Sequence, residues 1–137
     1  MKLDPSAFQA DPELIQALEK RSTPIQCGDE RVLFRQGDVP SGLFILSQGE
    51  ATLTMKSAAG KPIISTQAAP GSVLGLPGLV GNEPYTLTAV ARGGAQLRFV
   101  SRDDFAALMQ SDPFLSLKVL QVLAAEVRSA RRAILQR

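Results

Sequence analysis

Gly71-Ser72-Val73-Leu74-Gly75-Leu76-Pro77-Gly78-Leu79-Val80-Gly81-Asn82-Glu83-Pro84-Tyr85-Thr86-Leu87-Thr88-Ala89 is the stretch on which the reading of this chain turns. It overlaps the longest uncharged run, Pro62 to Asn82. Pro70, Gly71, Gly75, Pro77, Gly78 and Gly81 break that run, with Ser and Gln between them. So many turn formers make it a loop-and-strand segment and exclude a membrane span. Val73-Leu74 is a short strand piece, and Thr86 to Ala91 opens the next strand.

Outward from this stretch, from Ile25 to Val100, short apolar runs alternate with turn residues. Val32-Leu33-Phe34 precedes Gln36-Gly37-Asp38, and Leu43-Phe44-Ile45-Leu46 precedes Ser47-Gln48-Gly49. Ala51-Thr52-Leu53-Thr54-Met55 alternates at period two and stops before Ala59-Gly60-Lys61. Ile63-Ile64 is a shorter piece, and Ala95 to Val100 follows the turn Arg92-Gly93-Gly94. About eight short strands at this spacing predict a jelly roll over about 24–100, because double antiparallel sheets are how such strands protect their edges.

Helices flank it. Asp11 is a good N-cap, Pro12 stands at the first helical position, and Leu14, Ile15 and Leu18 share a face. This predicts a helix over about 11–21, ended by Thr23-Pro24. Ser101 caps a short helix that turns Phe105, Leu108 and Met109 inward, and Asp112-Pro113 starts another. The C-terminal helices span about 102–136. Phe114, Leu117, Leu120, Ala124, Val127 and Ile134 follow at helical spacing, with Val119, Leu123 and Ala130 in a second row. That stripe is wider than one barrel face needs. A helix of about 24 residues is about 36 Å long, so its end is expected to project. Arg128, Arg131, Arg132 and Arg137 suit the negative end of its dipole and read as a solvated helix end.

Composition narrows the chemistry. The chain has 137 residues, expected to form one domain over 1–137. Lys and Arg number 15 and Asp and Glu 13, and the resulting net charge of +2 is too small to argue for nucleic acid. Histidine is absent and Cys27 is the single cysteine. A Ser-His-Asp triad, a Cys-His pair, an HExxH zinc site and an internal disulfide are therefore excluded. Cys27 reads as a small hydrophobe in a reducing cytoplasm. Met1 to Phe8 lacks the apolar core of a signal peptide.

With Phe34-Arg35-Gln36-Gly37-Asp38 and Leu43-Phe44-Ile45-Leu46-Ser47-Gln48-Gly49-Glu50 before it, the 71–89 stretch resembles the cyclic nucleotide-binding domain. That module is the sensor of catabolite activator and FNR-type regulators. The resemblance covers about Leu14 to Leu135 and implies a mainly β double-stranded jelly roll, with an N-terminal helix and a long C-terminal helix. It also implies a phosphate-binding cassette of the pattern Gly-Glu-x-x-Leu, then Pro-Arg-Ser/Thr-x-Thr. In such a cassette a short helix offers N–H groups to the phosphate, the glutamate accepts from the ribose 2′-hydroxyl, and the arginine pairs with the phosphate.

On that pattern, Gly75 takes the place of the glycine, but Leu76 stands where the glutamate should be. Pro77 offers no N–H. Gly78 and Leu79 fit the small and apolar positions, and Pro84 matches. Tyr85 stands where the arginine should be; Thr86 keeps the hydroxyl and Thr88 matches the last threonine. Losing the charged pair costs about 2–5 kcal/mol and losing the ribose acceptor about 1–3 kcal/mol. Together these span roughly two to six decades of affinity. Cyclic AMP and cyclic GMP are therefore expected to bind very weakly or not at all, and Leu76→Glu with Tyr85→Arg to restore measurable affinity if the cassette backbone is intact.

Three readings of the cassette stay open: a turn-rich closure of the barrel, a pocket for another ligand lined by Leu76, Leu79, Tyr85 and Thr86, or residual nucleotide binding. Tyr85 itself is expected at the barrel edge with its hydroxyl in water. The function expected is a non-enzymatic regulatory domain in the cytoplasm, without catalytic residue, metal or cofactor. The resemblance implies a homodimer through Leu117, Leu120, Ala124, Val127 and Ile134 and a small-molecule effector; with no membrane-spanning run in the sequence, no membrane partner is expected. The chain shows no DNA-binding module up to Arg137. An inert dimeric scaffold is the other class. A metal enzyme is disfavoured because Asp29-Glu30, Glu83 and Asp103-Asp104 fall in turns or caps.

Overall fold

The computed structural model describes residues 2–136; Met1 and Arg137, the last of the arginines noted above, lie outside the described residues. A 3₁₀ turn, Pro5–Phe8, is followed by α1 (Pro12–Glu19) and then by β1 (Thr23–Ile25), β2 (Glu30–Phe34), β3 (Gly42–Gln48), β4 (Ala51–Lys56), β5 (Pro62–Ala68) and β6 (Ser72–Leu74). The short helix α2 (Leu76–Gly81) interrupts the strands before β7 (Thr88–Arg92) and β8 (Gln96–Ser101). Two helices close the chain, α3 (Arg102–Ser111) and α4 (Pro113–Leu135). The strands form two antiparallel sheets of four, in the orders β1-β8-β3-β6 and β2-β7-β4-β5. This is the expected jelly roll with flanking helices.

Local chemistry sets the element ends. The side chains of Asp11, Ser101 and Asp112 accept from the amides of Glu13, Asp104 and Phe114, capping α1, α3 and α4 as their sequences foretell. α1 is shorter than expected: it ends at Glu19, and Arg21 and Ser22 donate back in tight turns to Leu18 and Glu19. β7 starts at Thr88 rather than Thr86, because the Tyr85 peptide is held by a different loop.

The core has two parts. Between the sheets lie Phe34, Phe44, Leu46, Leu53, Leu74 and Leu97. On the outer side of β3, Leu43 and Ile45 pack with Leu14 and Leu18 of α1, Leu76 of α2 and Phe105 of α3. β3 is thus buried on both faces, which explains its unbroken apolar run.

Residues 2–8 carry more than the sequence suggested. Leu3, Ala7 and Phe8 are buried in the barrel core. The Thr66 hydroxyl donates to the Leu3 carbonyl at 2.9 Å, and the Asp4 amide donates to the Ser129 hydroxyl at 2.7 Å. This segment extends the surface on which α4 lies. Ala125, Ala130 and Ala133 pack against the core, so α4 stays on the barrel further than its length predicted.

The wide stripe on α4 resolves into two opposed rows. Leu115, Val119 and Val122 are buried. Leu117, Leu120, Val127 and Ile134 are each about half exposed, at 53%, 57%, 49% and 55%, and Ala124 lies exposed between them.

Candidate ligand site at the cassette

Gly75 opens the cassette with φ +98°, a left-handed conformation that favours glycine. A Cβ there would lie 3.1 Å from Tyr85 Cε1 and 3.3 Å from the Gly42 carbonyl oxygen. α2 then turns away, and Asn82, at φ 53°, ends it. Gly78 sits so close to the returning chain that a Cβ would lie 3.0 Å from the Glu83 carbonyl oxygen.

Tyr85 is buried, against the expectation of a hydroxyl in water. Its hydroxyl donates to the Gly42 carbonyl at 2.6 Å and accepts from the amides of Ser41 and Gly42 at 3.2 and 3.3 Å. Its ring stacks on Phe34 at a centroid distance of 4.0 Å. Its peptide joins the 35–38 turn, with Gly37 N–H donating to Tyr85 O at 2.8 Å and Tyr85 N–H to Asp38 O at 3.0 Å. Thr88 belongs to the same knot, its hydroxyl accepting from the Gln36 amide at 2.9 Å.

The remaining sequence-predicted residues divide. Gly75, Gly78, Tyr85 and Thr86 line one cavity, together with Phe8, Phe34, Leu53, Leu74, Pro77 and Leu87. Leu76 is fully buried on the other side, among the α1, α3 and β3 side chains. Leu79 packs with it and borders a separate groove of about 420 Å³ between α2, α3 and α4. Pro84 is exposed.

The cavity is small, about 20 Å³, enough for one water-sized sphere. Pockets for drug-sized ligands span about 300–1,000 Å³. One residue that sequence reasoning missed also lines it: Glu126 of α4. Its Oε2 is enclosed and has no hydrogen-bond partner, and burial alone pushes its carboxyl from 4.5 up to about 8. A signal was present. Leu115, Val119, Val122, Glu126, Ser129 and Ala133 fall at alternating steps of four and three, so the glutamate sits on the buried row. Among the described residues no arginine or lysine lines the cavity.

These features define a class: an antiparallel jelly roll whose inter-sheet cavity is closed by a glycine-started cassette on one side and a long C-terminal helix on the other. Residues 25–112 match the family described as cyclic nucleotide-binding domain, and the chain belongs to that family. It is 26% identical over 128 residues to the transcriptional activator protein FnrA of Stutzerimonas stutzeri, covering 91% of this chain and 50% of that protein. It is 26% identical over 98 residues to the cyclic AMP receptor protein of Thermus thermophilus, covering 72% of this chain and 45% of that protein. The chain thus spans about half the length of the curated relatives it matches. The crystal structure of the Thermus thermophilus catabolite activator protein shares the fold, with a TM-score of 0.78, 21% identity, and coverage of 96% of this chain and 62% of that one.

Proposed function

We propose that this chain is a non-catalytic regulatory domain that has given up tight cyclic-nucleotide binding and acts through pairing of α4 with a second copy. The observation that carries the reading is Tyr85. It stands where the family pattern has its phosphate-binding arginine, and its hydroxyl is already spent on Gly42 and Ser41. A cyclic phosphate placed in this cavity would meet no cation, a proline without an N–H, and the Glu126 carboxyl.

The cavity gathers one carboxyl and one tied phenol rather than a nucleophile beside a base, which supports a role without catalysis. The exposed row Leu117, Leu120, Ala124, Val127 and Ile134 has the three-four spacing of a helix-pairing seam, which supports a homodimer. The names of the relatives, a transcriptional activator and a cyclic AMP receptor, support a place in transcriptional regulation. The cytoplasm is the compartment that fits such a role and the free Cys27 thiol.

A second reading rests on Glu126. An enclosed carboxyl oxygen without a partner is suited to a small effector that donates a hydrogen bond, in a cavity enlarged to admit it. On this reading Gly75, Gly78, Tyr85 and Thr86 are its contacts, while Leu76, Leu79, Pro84 and Thr88 lie outside the cavity lining and only support the cassette around it.

Calorimetry with cyclic AMP and cyclic GMP tests the leading reading. No saturable heat is expected below millimolar ligand, and micromolar binding would sink it. The expected rescue by Leu76→Glu with Tyr85→Arg changes in light of the fold. Leu76 is fully buried among leucines, so a glutamate there strands a charge in the second core before it can reach a ribose.

A further inference from the structure

The barrel-facing row of α4 is interrupted once by an ionisable group. Leu115, Val119 and Val122 fill it with apolar bulk, and Ser129 satisfies its hydroxyl on the Asp4 amide. Between them Glu126 projects toward the cassette cavity, and among the described residues no hydrogen bond or ion pair reaches its Oε2.

The surroundings offer it nothing. Phe8 comes from the N-terminal segment, Phe34 from β2, Leu53 from β4 and Leu74 from β6. Tyr85 is the one titratable group facing it from the cassette, and its hydroxyl is tied to Gly42. The charged groups near this end of α4 sit on the rim. Lys2, Asp4 and Arg132 border the groove around Ser129, Asp4 is engaged by Ser6, and Arg128 and Arg131 are exposed. Glu126 is half-buried as a residue, and Oε2 is the oxygen shut away without a partner; that oxygen suits the neutral acid, whereas an anion favours moving the carboxylate out into water.

Leaving has a mechanical consequence. Leu120, Ala124 and Val127 occupy the opposite side of the same helical turns. A roll or lift of α4 that takes Glu126 into water displaces that row with it. Packing at this level is modest, for the apolar residues that hold this half of α4 to the core are alanines, Ala125, Ala130 and Ala133, helped by the one hydrogen bond between the Asp4 amide and the Ser129 hydroxyl.

We propose that Glu126 is a proton-operated latch: as the neutral acid it keeps the C-terminal half of α4 seated on the barrel, and loss of its proton lifts that half and shifts the outer row. The latch belongs to the fold of the single chain. It holds whether or not α4 pairs with a second copy, and whether or not the cavity takes a ligand. The raised carboxyl, about 8 against 4.5, puts the change in the neutral to mildly alkaline range.

Two measurements on the full chain test it: a ¹³C titration of the Glu126 carboxyl, and trypsin cleavage after Arg128, Arg131 and Arg132 at mildly acidic and mildly alkaline pH. The carboxyl should titrate well above the ordinary glutamate range. On going to alkaline pH, cleavage of the wild type should accelerate about threefold or more beyond the acceleration seen with Glu126→Gln, which cancels trypsin's own pH response; that margin corresponds to an opening shifted by about 0.65 kcal/mol. Glu126→Leu, which makes the row wholly apolar, should match Glu126→Gln and guards against a variant that packs poorly. A carboxyl that titrates in the ordinary range overturns the proposal. So does equal acceleration in the wild type and both variants.

Discussion

The Tyr85 hydroxyl donates to the Gly42 carbonyl oxygen at 2.6 Å, bolting the cassette to the first residue of β3 across 43 positions of sequence. The residue proposed to stand at the arginine position is therefore a strut, not a vacancy. Tyr85→Phe keeps the stack on Phe34 and removes three hydrogen bonds around Gly42 and Ser41. It should cost about 1–3 kcal/mol, since buried groups are left unpaired. Urea unfolding of the two proteins measures this; equal midpoints and slopes would show that the hydroxyl is mechanically idle.

The same strut makes Gly75 intolerant. Its φ of +98° already disfavours a side chain, and the Tyr85 ring and Gly42 carbonyl fill the space that a Cβ would take. Gly75→Ala should destabilise by about 1–2 kcal/mol from backbone strain alone. Gly60, also at positive φ but with open space around it, should show the backbone part of the cost without the collision. Thermal unfolding of both alanine variants separates strain from packing, and identical losses would argue against contact with Tyr85.

Much of this architecture was legible because it is written in local chemistry. Asp11, Ser101 and Asp112 act as caps through their own side chains, and the glycines at 37, 49, 71 and 75 have the positive φ that their turns require. What stayed hidden depends on which distant elements meet. Phe8 looks like an ordinary terminal residue until β6 and α4 close over it. Tyr85 finds its partners 43 and 44 residues upstream. Leu76 and Tyr85 both belong to the cassette pattern yet face different cores, which no spacing rule in a short helix and the loop after it reveals.

The outer row of α4 gives an assembly prediction. Ala124 is exposed in the middle of Leu117, Leu120, Val127 and Ile134, so Ala124→Arg costs the single chain little. At a helix-pairing seam it inserts a charge where two helices approach most closely. Sedimentation should find the wild type as a dimer and the variant as a monomer of unchanged stability. A wild-type monomer at high concentration would remove α4 pairing from the proposed function.

Stability should also carry the mark of Glu126. Its folded carboxyl titrates at about 8 against 4.5, with burial as the cause. Below the lower value both folded and unfolded chains hold the proton, and the group contributes fully. Between the two values the unfolded chain releases it first, so stability falls as pH rises, by up to about 1.4 kcal/mol per pH unit. Above the upper value both states are ionised and the loss is complete. Asp4 and Asp11 act in the opposite sense. Their carboxyls are held below the ordinary range, first by Ser6 and by Lys118 respectively, so what they contribute is lost only as pH falls through that range. The wild type should therefore be most stable in mild acid, between these two windows, and weaken toward alkaline pH. Glu126→Gln has no proton to lose and should hold its stability across neutral and mildly alkaline pH, overtaking the wild type there. Urea midpoints taken from mild acid to mild alkali decide it: parallel curves for the two proteins would mean that Glu126 reaches water in the folded chain.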